Sequence, residues 1–428
     1  MGENVVLGWL TLELTNSPFM VGAVMSMRAA PLFFIGVPAG ALADRFPRHR
    51  LLMLTSIGQA LTAATLGAVI LFGTVTVAHV MLLTLLAGVL RGVEHAARQS
   101  YTHDVVGPAA LVSGLAVLGV GMRGDWLLGS LGVGAVIAHF GAGVAYFVVA
   151  AGFLGGALAL WPSTAPSRKH SAAIDSLWRS VLDFLVAVRE HRTLLVLMML
   201  TAGAEVLGFA HQTVLPSLAR DVLHVGPEGL GALYAGRAIG GVAGLAAAIR
   251  GRAGGSAFLV VLVSFGVSLM LLGGAPYVVG FAGVLAIVIL VNAAGALADL
   301  FAQSLLQLSV PSELRGRAGG AWVVAIGLAP LGQLQIGALA SALGVRIALG
   351  ISGVALVVLA VASALIFPRL RRVSRSTGAL SPGCRLRRAA QAARAILASR
   401  DNTLPREWPP GSLPARCAPR FRRTPSST

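Results

Sequence analysis

The sequence predicts an all-α membrane protein that crosses the bilayer many times, and two observations lead to this prediction. First, 56% of its 428 residues are hydrophobic and only 11% are charged, with a mean hydropathy of +0.82. A soluble chain of this length needs more charge to cover its surface. Second, the apolar residues form long stretches, such as 18–42 and 50–73, each of which can cross a hydrocarbon core of about 30 Å as a helix.

Twelve such stretches divide the chain. The first is too short to cross unaided, and it lacks the basic flank and cleavage site of a signal peptide. We interpret it as a first helix that is truncated by a start codon assigned too late. The predicted spans are roughly 1–14, 18–42, 50–73, 77–97, 109–138, 141–161, 193–216, 228–249, 256–275, 277–308, 318–343 and 346–367.

A polar segment separates the first six spans from the last six. Its residues 174–188 carry apolar side chains at intervals of three to four, which predicts an amphipathic helix at the cytoplasmic surface. The predicted organisation is an N-terminal six-helix half (1–161), a cytoplasmic linker (162–192), a C-terminal six-helix half (193–367) and a tail (368–428).

The two halves resemble each other. Arg28 and Arg237 each follow an apolar half-span and precede further arginines, at an offset of 209 residues. Gln99 and Gln303 each stand before a serine at the end of a span, at an offset of 204 residues. A parallel repeat of six-helix halves, with the substrate between them at mid-membrane, is typical of one large class of transporters. The alternative is a chance match of common residues.

Arginines indicate the orientation, because short loops rich in arginine stay in the cytoplasm. The opposite loops hold little beyond Arg220 and Arg346. The single lysine, against 32 arginines, favours a GC-rich bacterial gene. We therefore predict a multi-pass protein of the bacterial plasma membrane with a cytoplasmic C-terminus. The arginines of the cytoplasmic loops include those at 45, 48, 50, 98, 250, 252, 315 and 317.

Most of the net charge of +17 belongs to the tail. Residues 368–428 hold fourteen arginines against Asp401 and Glu407, or +12, which leaves +5 for the rest of the chain. The charge of the membrane domain therefore does not indicate a nucleic-acid partner. The composition of the tail predicts disorder, or translation from a shifted frame. The alternative is an arm that binds anionic lipids.

The loop after the second span carries the most specific motif. Residues 40–50 read Gly-Ala-Leu-Ala-Asp-Arg-Phe-Pro-Arg-His-Arg, which resembles the G-x-L-A-D-R-x-G-R-[RK] signature of the major facilitator superfamily. Residues 8–18, 97–100 and 310–317 are similar to the bacterial efflux branch that includes exporters of enterobactin and of macrolides. The resemblance covers about 1–370 and implies two six-helix halves.

Three positions depart from the patterns of that superfamily. Pro47 replaces the usual glycine of the loop, and His49 occupies a basic position. Proline stiffens the turn, because its ring fixes φ. Residues 129–134 lack the proline that exporters often carry in a G-P-x-x-G-G motif.

The resemblance implies that the loop forms a gate. Asp44 would cap the positive end of a neighbouring helix. Arg45 and Arg48 would pair with acids across the interface between the halves in the outward-facing state. The alternative is that these arginines only keep the loop in the cytoplasm. The candidate gate residues are Gly40, Asp44, Arg45, Arg48 and Arg50.

Ionisable residues inside spans are candidates for transport, because each costs about 2.5–3.5 kcal/mol to insert. Glu205 lies near mid-membrane, where a buried carboxylate could carry a proton and His211 could relay it. The alternative is a structural pair of Glu205 with Arg237. The candidates for the proton or substrate pathway are Arg28, Asp125, Glu205, His211, Arg237 and Asp299.

Three further charges lie on one face of the fourth span. Arg91, Glu94 and Arg98 have spacings of i, i+3 and i+7, so Glu94 can pair with either arginine. We expect a pair that holds the cytoplasmic gate, and the alternative is that Glu94 carries a proton.

These features predict a transporter and not an enzyme. The sequence contains no P-loop of the form G-x-x-x-x-G-K-[ST] and no catalytic or metal-binding constellation, so we expect a proton gradient as the energy source and no cofactor. The predicted function is efflux of a small amphipathic molecule, such as a drug, macrolide or siderophore, by a monomer in the lipid bilayer. The alternatives are an importer or facilitator on the same fold, and a truncated remnant that does not transport. We expect few polar groups in the pocket and therefore weak discrimination.

Overall fold

The computed structural model describes residues 1–162, 192–250, 254–275, 278–309 and 325–368. The described residues belong to one compact unit, Met1–Val373. The predicted amphipathic helix of the linker and the predicted tail beyond Pro368 lie outside the described residues. Helices account for the regular structure of the described ranges: α1 (Gly2–Thr15), α2 (Pro18–Arg45), α3 (Arg48–Leu71), α4 (Val77–Gly124), α5 (Ser130–Leu160), α6 (Arg192–Gly203), α7 (Leu215–Ser217), α8 (Gly226–Arg250), α9 (Gly255–Gly274), α10 (Gly280–Leu308), α11 (Ala329–Leu343) and α12 (Val345–Ile366).

Within the described residues, eight helical segments are long and apolar enough to cross a membrane. The longest has 44 residues, which is enough for two crossings. The segments are Arg48–Leu71, Val77–Arg98, Val117–Leu160, Leu194–Val222, Gly226–Ala248, Gly255–Gly274, Gly280–Leu308 and Val345–Ile366.

Two of the predicted loops are replaced or shortened by helix. Helix α4 continues from Val77 to Gly124, although a loop was predicted near residues 98–108. The reason is local, since residues 98–106 contain no glycine or proline to end the helix. Helix α2 likewise continues to Arg45, beyond its predicted end at residue 42, so only Phe46 and Pro47 separate α2 from α3.

The seventh span is irregular where a continuous helix was predicted. After α6, the chain forms a π-helical turn at Ala204–Gly208, a 3₁₀ segment at Phe209–Val214 and a second π-helical turn at Leu218–Val222. Pro216 contributes to the break, because proline cannot donate a backbone hydrogen bond. Irregular turns of this kind inside helices are frequent at functional sites.

The helices pack in two sets that repeat each other. In the first half α2 packs on α4 and α3 packs on α5; in the second half α8 packs on α10 and α9 packs on α12. The halves meet where α2 crosses α11 and where α5 crosses α8. This is the arrangement of two repeated halves that the sequence predicted.

A glycine pair lies at each crossing between the halves. A Cβ atom at Gly337 would lie 3.2 Å from Cα of Gly22, and one at Gly134 would lie 3.0 Å from Cα of Gly231. Small residues let helix backbones approach closely inside a membrane. The two pairs are related by the repeat, because 231 − 22 is 209 and 337 − 134 is 203.

Two further glycines mark the same repeat. Gly141 has φ 82° at a kink within α5, and Gly344 has φ 86° between α11 and α12. Glycine adopts this left-handed region without the clash that a Cβ atom would cause. Both turns lie at the end of the bundle nearest the glycine pairs, so the halves are in contact at the end opposite the arginine-rich loops.

Candidate functional site: a cavity between the two halves

A cavity of about 180 Å³ lies between the two halves. The first half lines it from α1, α2 and α4, and the second half lines it from α8, α11 and the 3₁₀ segment. Eight of its twelve lining residues are polar, so the pocket is more polar than the sequence led us to expect. The lining residues are Asn4, Met25, Arg28, Ala29, Leu32, Gly88, Arg91, His95, Gln212, Thr213, Tyr234 and Gln333.

The two arginines that first indicated the repeat lie at the same depth. Arg28 is ten residues from the start of α2, and Arg237 is eleven residues from the start of α8. At 1.5 Å per residue both lie about 15 Å into their helices, which is the middle of the hydrocarbon core. Arg28 and Arg237 are 8% and 6% exposed.

In the first half, Arg28 pairs with a carboxylate. Its Nη2 atom donates to Oε2 of Glu3 on α1 at 2.6 Å, and both side chains are mostly buried. Its Nη1 atom is also buried and has no hydrogen-bond partner among the described residues. Glu3 was not among the predicted site residues.

Of the three charges on α4, only two form a pair. Glu94 accepts from Arg98 at 3.1 Å and from Nε2 of Gln59 at 2.9 Å. Arg91 makes no hydrogen bond or ion pair with a described residue, and it lines both the central cavity and a second cavity of about 380 Å³. The structure therefore places Arg91 beside Glu94 and Arg98 in the lining of the second cavity, but the ion pair forms between Glu94 and Arg98.

In the second half, the described contacts of Arg237 are to neutral groups, although the charge of Arg123 also acts on it. Its Nε atom donates to Oδ1 of Asn292 at 3.3 Å, and its guanidinium carbon lies 5.3 Å from the centre of the Tyr234 ring. Its Nη1 atom is buried and unpaired among the described residues. Asn292 also lies 3.4 Å from Nε2 of His211, a fully buried ring whose Nδ1 lies 2.8 Å from the Gly208 carbonyl oxygen.

Glu205 does not pair with Arg237, so that alternative is wrong. It lies in the π-helical turn at Ala204–Gly208 and makes no hydrogen bond or ion pair with a described residue. Asp299 of α10 is close enough for its negative charge to act on Glu205. The described polar contacts of His211 are to Gly208 and Asn292, and its ring packs on Phe265, so the structure shows no contact between His211 and Glu205 among these.

The two charges near the end of α4 find partners that the sequence did not indicate. Asp125 accepts from the amino group of Met1 at 3.0 Å. Arg123 stacks on Trp126 at 5.0 Å and lies against the backbone of Gly241 on α8. Arg123 therefore contacts the other half of the protein.

The gate motif is described in part. The surroundings of Gly40 and the side chains of Asp44 and Arg45 lie outside the described residues, whereas Arg50 is exposed. Arg48 is buried and donates to both carboxylate oxygens of Asp104 at 2.9 and 2.8 Å. Asp104 belongs to the same half, so in this conformation the Arg48 pair does not cross the interface, and the pairing predicted for the outward-facing state stays a prediction.

Three solved structures of transporters from the major facilitator superfamily are similar to this chain. The nucleoside transporter NupG is 14% identical with a TM-score of 0.68, and the match covers 86% of this chain and 95% of that chain. A bacterial homologue of the human lysosomal transporter Spinster, inward-facing and occupied, is 14% identical with a TM-score of 0.65 and coverages of 86% and 94%. The peptide transporter POT in complex with sulfate is 15% identical with a TM-score of 0.67 and coverages of 88% and 92%. These likenesses establish the fold.

The family of the chain follows from its sequence. No curated protein matches it. The profile of the transmembrane secretion effectors, a family of the major facilitator superfamily, matches residues 1–383 and so includes both halves and the cavity between them. The chain therefore belongs to the transmembrane secretion effector family of major facilitator transporters.

Proposed function

We propose that this protein exports a small amphipathic molecule across the bacterial plasma membrane by alternating access, driven by the proton gradient. The observation that carries the proposal is the cavity of about 180 Å³ that both halves line. A site shared by two repeated halves can open first to one side of the membrane and then to the other as the halves rock. Met25 and Leu32 offer apolar surface in the same cavity as Gln212 and Tyr234, which suits a molecule with both characters.

The description of the family as secretion effectors supports an outward direction. The arginine-rich loops support a cytoplasmic location for the end of the bundle that carries Arg48 and Arg50. With that orientation, the glycine crossings close the outer end, and the cavity in this conformation takes its substrate from the cytoplasm.

Glu205 supports coupling to protons. It is a carboxylate inside a span, and such residues mark ion and proton pathways in transporters. Because it makes no hydrogen bond or ion pair with a described residue, it can gain and lose a proton without breaking a contact. The nearby charge of Asp299 favours that exchange, since two carboxylates at close range resist being ionised together.

The test uses everted and right-side-out vesicles from bacteria that express the full chain. We expect respiring everted vesicles to accumulate at least one of three labelled probes, namely erythromycin, enterobactin or ethidium, and to lose the accumulation when a protonophore is added. The substitution Glu205→Gln should reduce accumulation to the level of vesicles without the protein. Accumulation by right-side-out vesicles instead would assign an importer.

Glu228→Gln is the matched control. Glu228 is an exposed carboxylate that lies near the outer end of α8, 3.5 Å from His139 and away from the cavity. We expect its removal to leave accumulation unchanged. Transport by Glu205→Gln at the wild-type rate would exclude Glu205 from coupling, and transport that survives the protonophore would exclude the proton gradient as the driving force.

A further inference from the structure

An excess of positive charge faces the cavity. Arg28 and Arg91 line it without a carboxylate among the described lining residues, whereas Glu3, Glu94 and Arg98 line the second cavity. Glu94 is bound to Arg98, and Glu3 is bound to Arg28. Arg91 is left without an ion pair among the described residues. The charge of Arg28 repels it, whereas the charges of Glu3 and Glu94 attract it.

This excess is costly for a protein in a membrane. Ionisable side chains inside a membrane-spanning bundle are expensive, and Arg91 is exposed to the space between the helices without a bound partner among the described residues. The described residues that line the central cavity include no carboxylate, and the two that attract Arg91 from the second cavity, Glu3 and Glu94, are bound to other arginines. The cavity is thus electrostatically complementary to an anion and not to a cation.

Unpaired polar atoms concentrate at the same cavity. Among the described residues, eight buried side-chain atoms have no hydrogen-bond partner, and four of them belong to residues that line this cavity. Buried polar groups in folded proteins nearly always have a partner, so a cluster of exceptions points to a ligand. The four atoms are Nη1 of Arg28, Oδ1 of Asn4, Oγ1 of Thr213 and Oε1 of Gln333.

We propose that the cavity binds an organic anion, and that Arg28 and Arg91 hold its carboxylate or a similar oxyanion. Glu3 accepts from Nη2 of the Arg28 guanidinium, and Nη1 is buried without a partner among the described residues. Bonds from a guanidinium to an oxyanion are the strong class of hydrogen bond, and they compensate the excess charge. The inference rests on the proposed function, because it names the class of molecule that the exporter carries.

The remaining unpaired atoms indicate a second feature of this anion. Oδ1 of Asn4 and Oε1 of Gln333 are carbonyl oxygens and can only accept hydrogen bonds. A ligand that satisfies them carries hydroxyl or amide N–H donors beside its anionic group. A hydroxylated carboxylic acid is therefore a better fit than a purely apolar anion.

The test compares two probes that differ in charge and hardly in shape. Salicylate carries a carboxylate and a hydroxyl group, and salicylamide replaces the carboxylate by a neutral amide. Binding of radiolabelled salicylate to the purified full chain in phosphatidylcholine nanodiscs is measured without any gradient. We expect salicylamide to compete at least about tenfold more weakly, which corresponds to one hydrogen bond to a charged group.

Two variants locate the site. Arg91→Gln removes the excess charge without leaving a carboxylate unpaired, and we expect the preference for salicylate to disappear. The double variant Glu3→Gln with Arg28→Gln removes the second guanidinium together with its bound carboxylate, so the net charge of the site is unchanged, and we expect weaker salicylate binding. Arg346→Gln is the matched control. Arg346 lies at the start of α12, outside the cavity, and donates to the carbonyl oxygen of Gly273.

Several outcomes would overturn the inference. Equal affinity for both probes would do so, as would a preference that survives Arg91→Gln or that Arg346→Gln removes. Loss of salicylate binding when phosphatidylglycerol is added to the nanodiscs would assign the site to a lipid headgroup. Because the assay needs no transport, an anion preference without accumulation in vesicles would contradict the proposed export and leave the anion site intact.

Discussion

Arg28 and Arg237 occupy equivalent places in the two halves and yet have different partners. Each lies about 15 Å into its helix, each is buried, and each has an unpaired Nη1 atom among the described residues. Arg28 is held by the carboxylate of Glu3, whereas Arg237 is held by the amide of Asn292 and the ring of Tyr234. The arginine has the same position in both halves, but its contacts differ between them.

The difference suggests that the two arginines have different roles. An arginine paired with a carboxylate can exchange that partner for another anion, which is what a binding site for anions requires. An arginine held by neutral groups has no such partner to exchange. Its hydrogen bond joins α8 to α10 through Asn292, and this fixes the packing of the second half. We therefore infer that the anion-binding charges belong to the first half and that the cluster around Arg237 is structural.

The largest expected effect comes from breaking the ion pair of the first half. Arg28→Met leaves the Glu3 carboxylate in a mostly buried site without its bound arginine. Removing one partner of a buried pair typically costs about 3–5 kcal/mol, because the remaining charge is uncompensated. The free energy of unfolding, measured by chemical denaturation in detergent micelles, should fall by about that amount.

The double variant Arg28→Met with Glu3→Met is the control for this prediction. It removes both charges and fills the space with apolar side chains, so stability should recover to within about 1 kcal/mol of the natural protein. If the double variant were as unstable as the single one, packing by Arg28 and not its charge would account for the loss.

The second largest effect on stability is expected at the two glycine crossings, where the halves contact each other. A Cβ atom at Gly231 would lie 2.6 Å from the Ser130 carbonyl oxygen, and one at Gly22 would meet the Gln333 carbonyl oxygen, which is the position related to Ser130 by the repeat. Gly231→Ala and Gly22→Ala should therefore each cost about 1–3 kcal/mol, the usual penalty for overpacking. Unfolding in micelles measures this loss.

Gly350→Ala is the matched control for the crossings, because nothing lies within 4 Å of the position of its Cβ atom. This helical substitution should be neutral or slightly stabilising. A large difference between Gly22→Ala and Gly231→Ala would show that the two crossings are not equivalent, and that the halves differ in packing as well as in charge.

The sequence predicted the architecture from long apolar stretches, and it indicated the repeat from two pairs of landmarks, Arg28 with Arg237 and Gln99 with Gln303. Those signals are local, since each can be counted along one helix. The crossings were not predictable in the same way, because the chain has 53 glycines and only the packing selects those that meet a partner. The repeat offset is the signal that could have found them, as it relates Gly22 to Gly231 and Gly134 to Gly337.

Partners in the site were harder to predict than positions. Glu3 and Arg28 are 25 residues apart, and Arg237 and Asn292 are 55 apart, so each pairing depends on how two helices cross. Asp104 was missed for the same reason, since it lies 56 residues from Arg48. The spacing on α4 predicted that Glu94 pairs with Arg91 or with Arg98, because residues three or four apart share one face of a helix, and the structure contains the pair with Arg98.

The smallest expected effect comes from the arginine of the second half. Arg237→Met removes one hydrogen bond to Asn292 and the stacking on Tyr234, but it leaves no carboxylate unpaired among the described residues. These contacts together are worth about 1–2 kcal/mol, so unfolding should show a loss well below that of Arg28→Met. The same variant should keep the preference for salicylate over salicylamide, because Arg237 does not line the cavity. A loss of unfolding free energy as large as that of Arg28→Met, or a lost preference for salicylate, would mean that Arg237 also acts through its charge. Both halves would then contribute to anion binding.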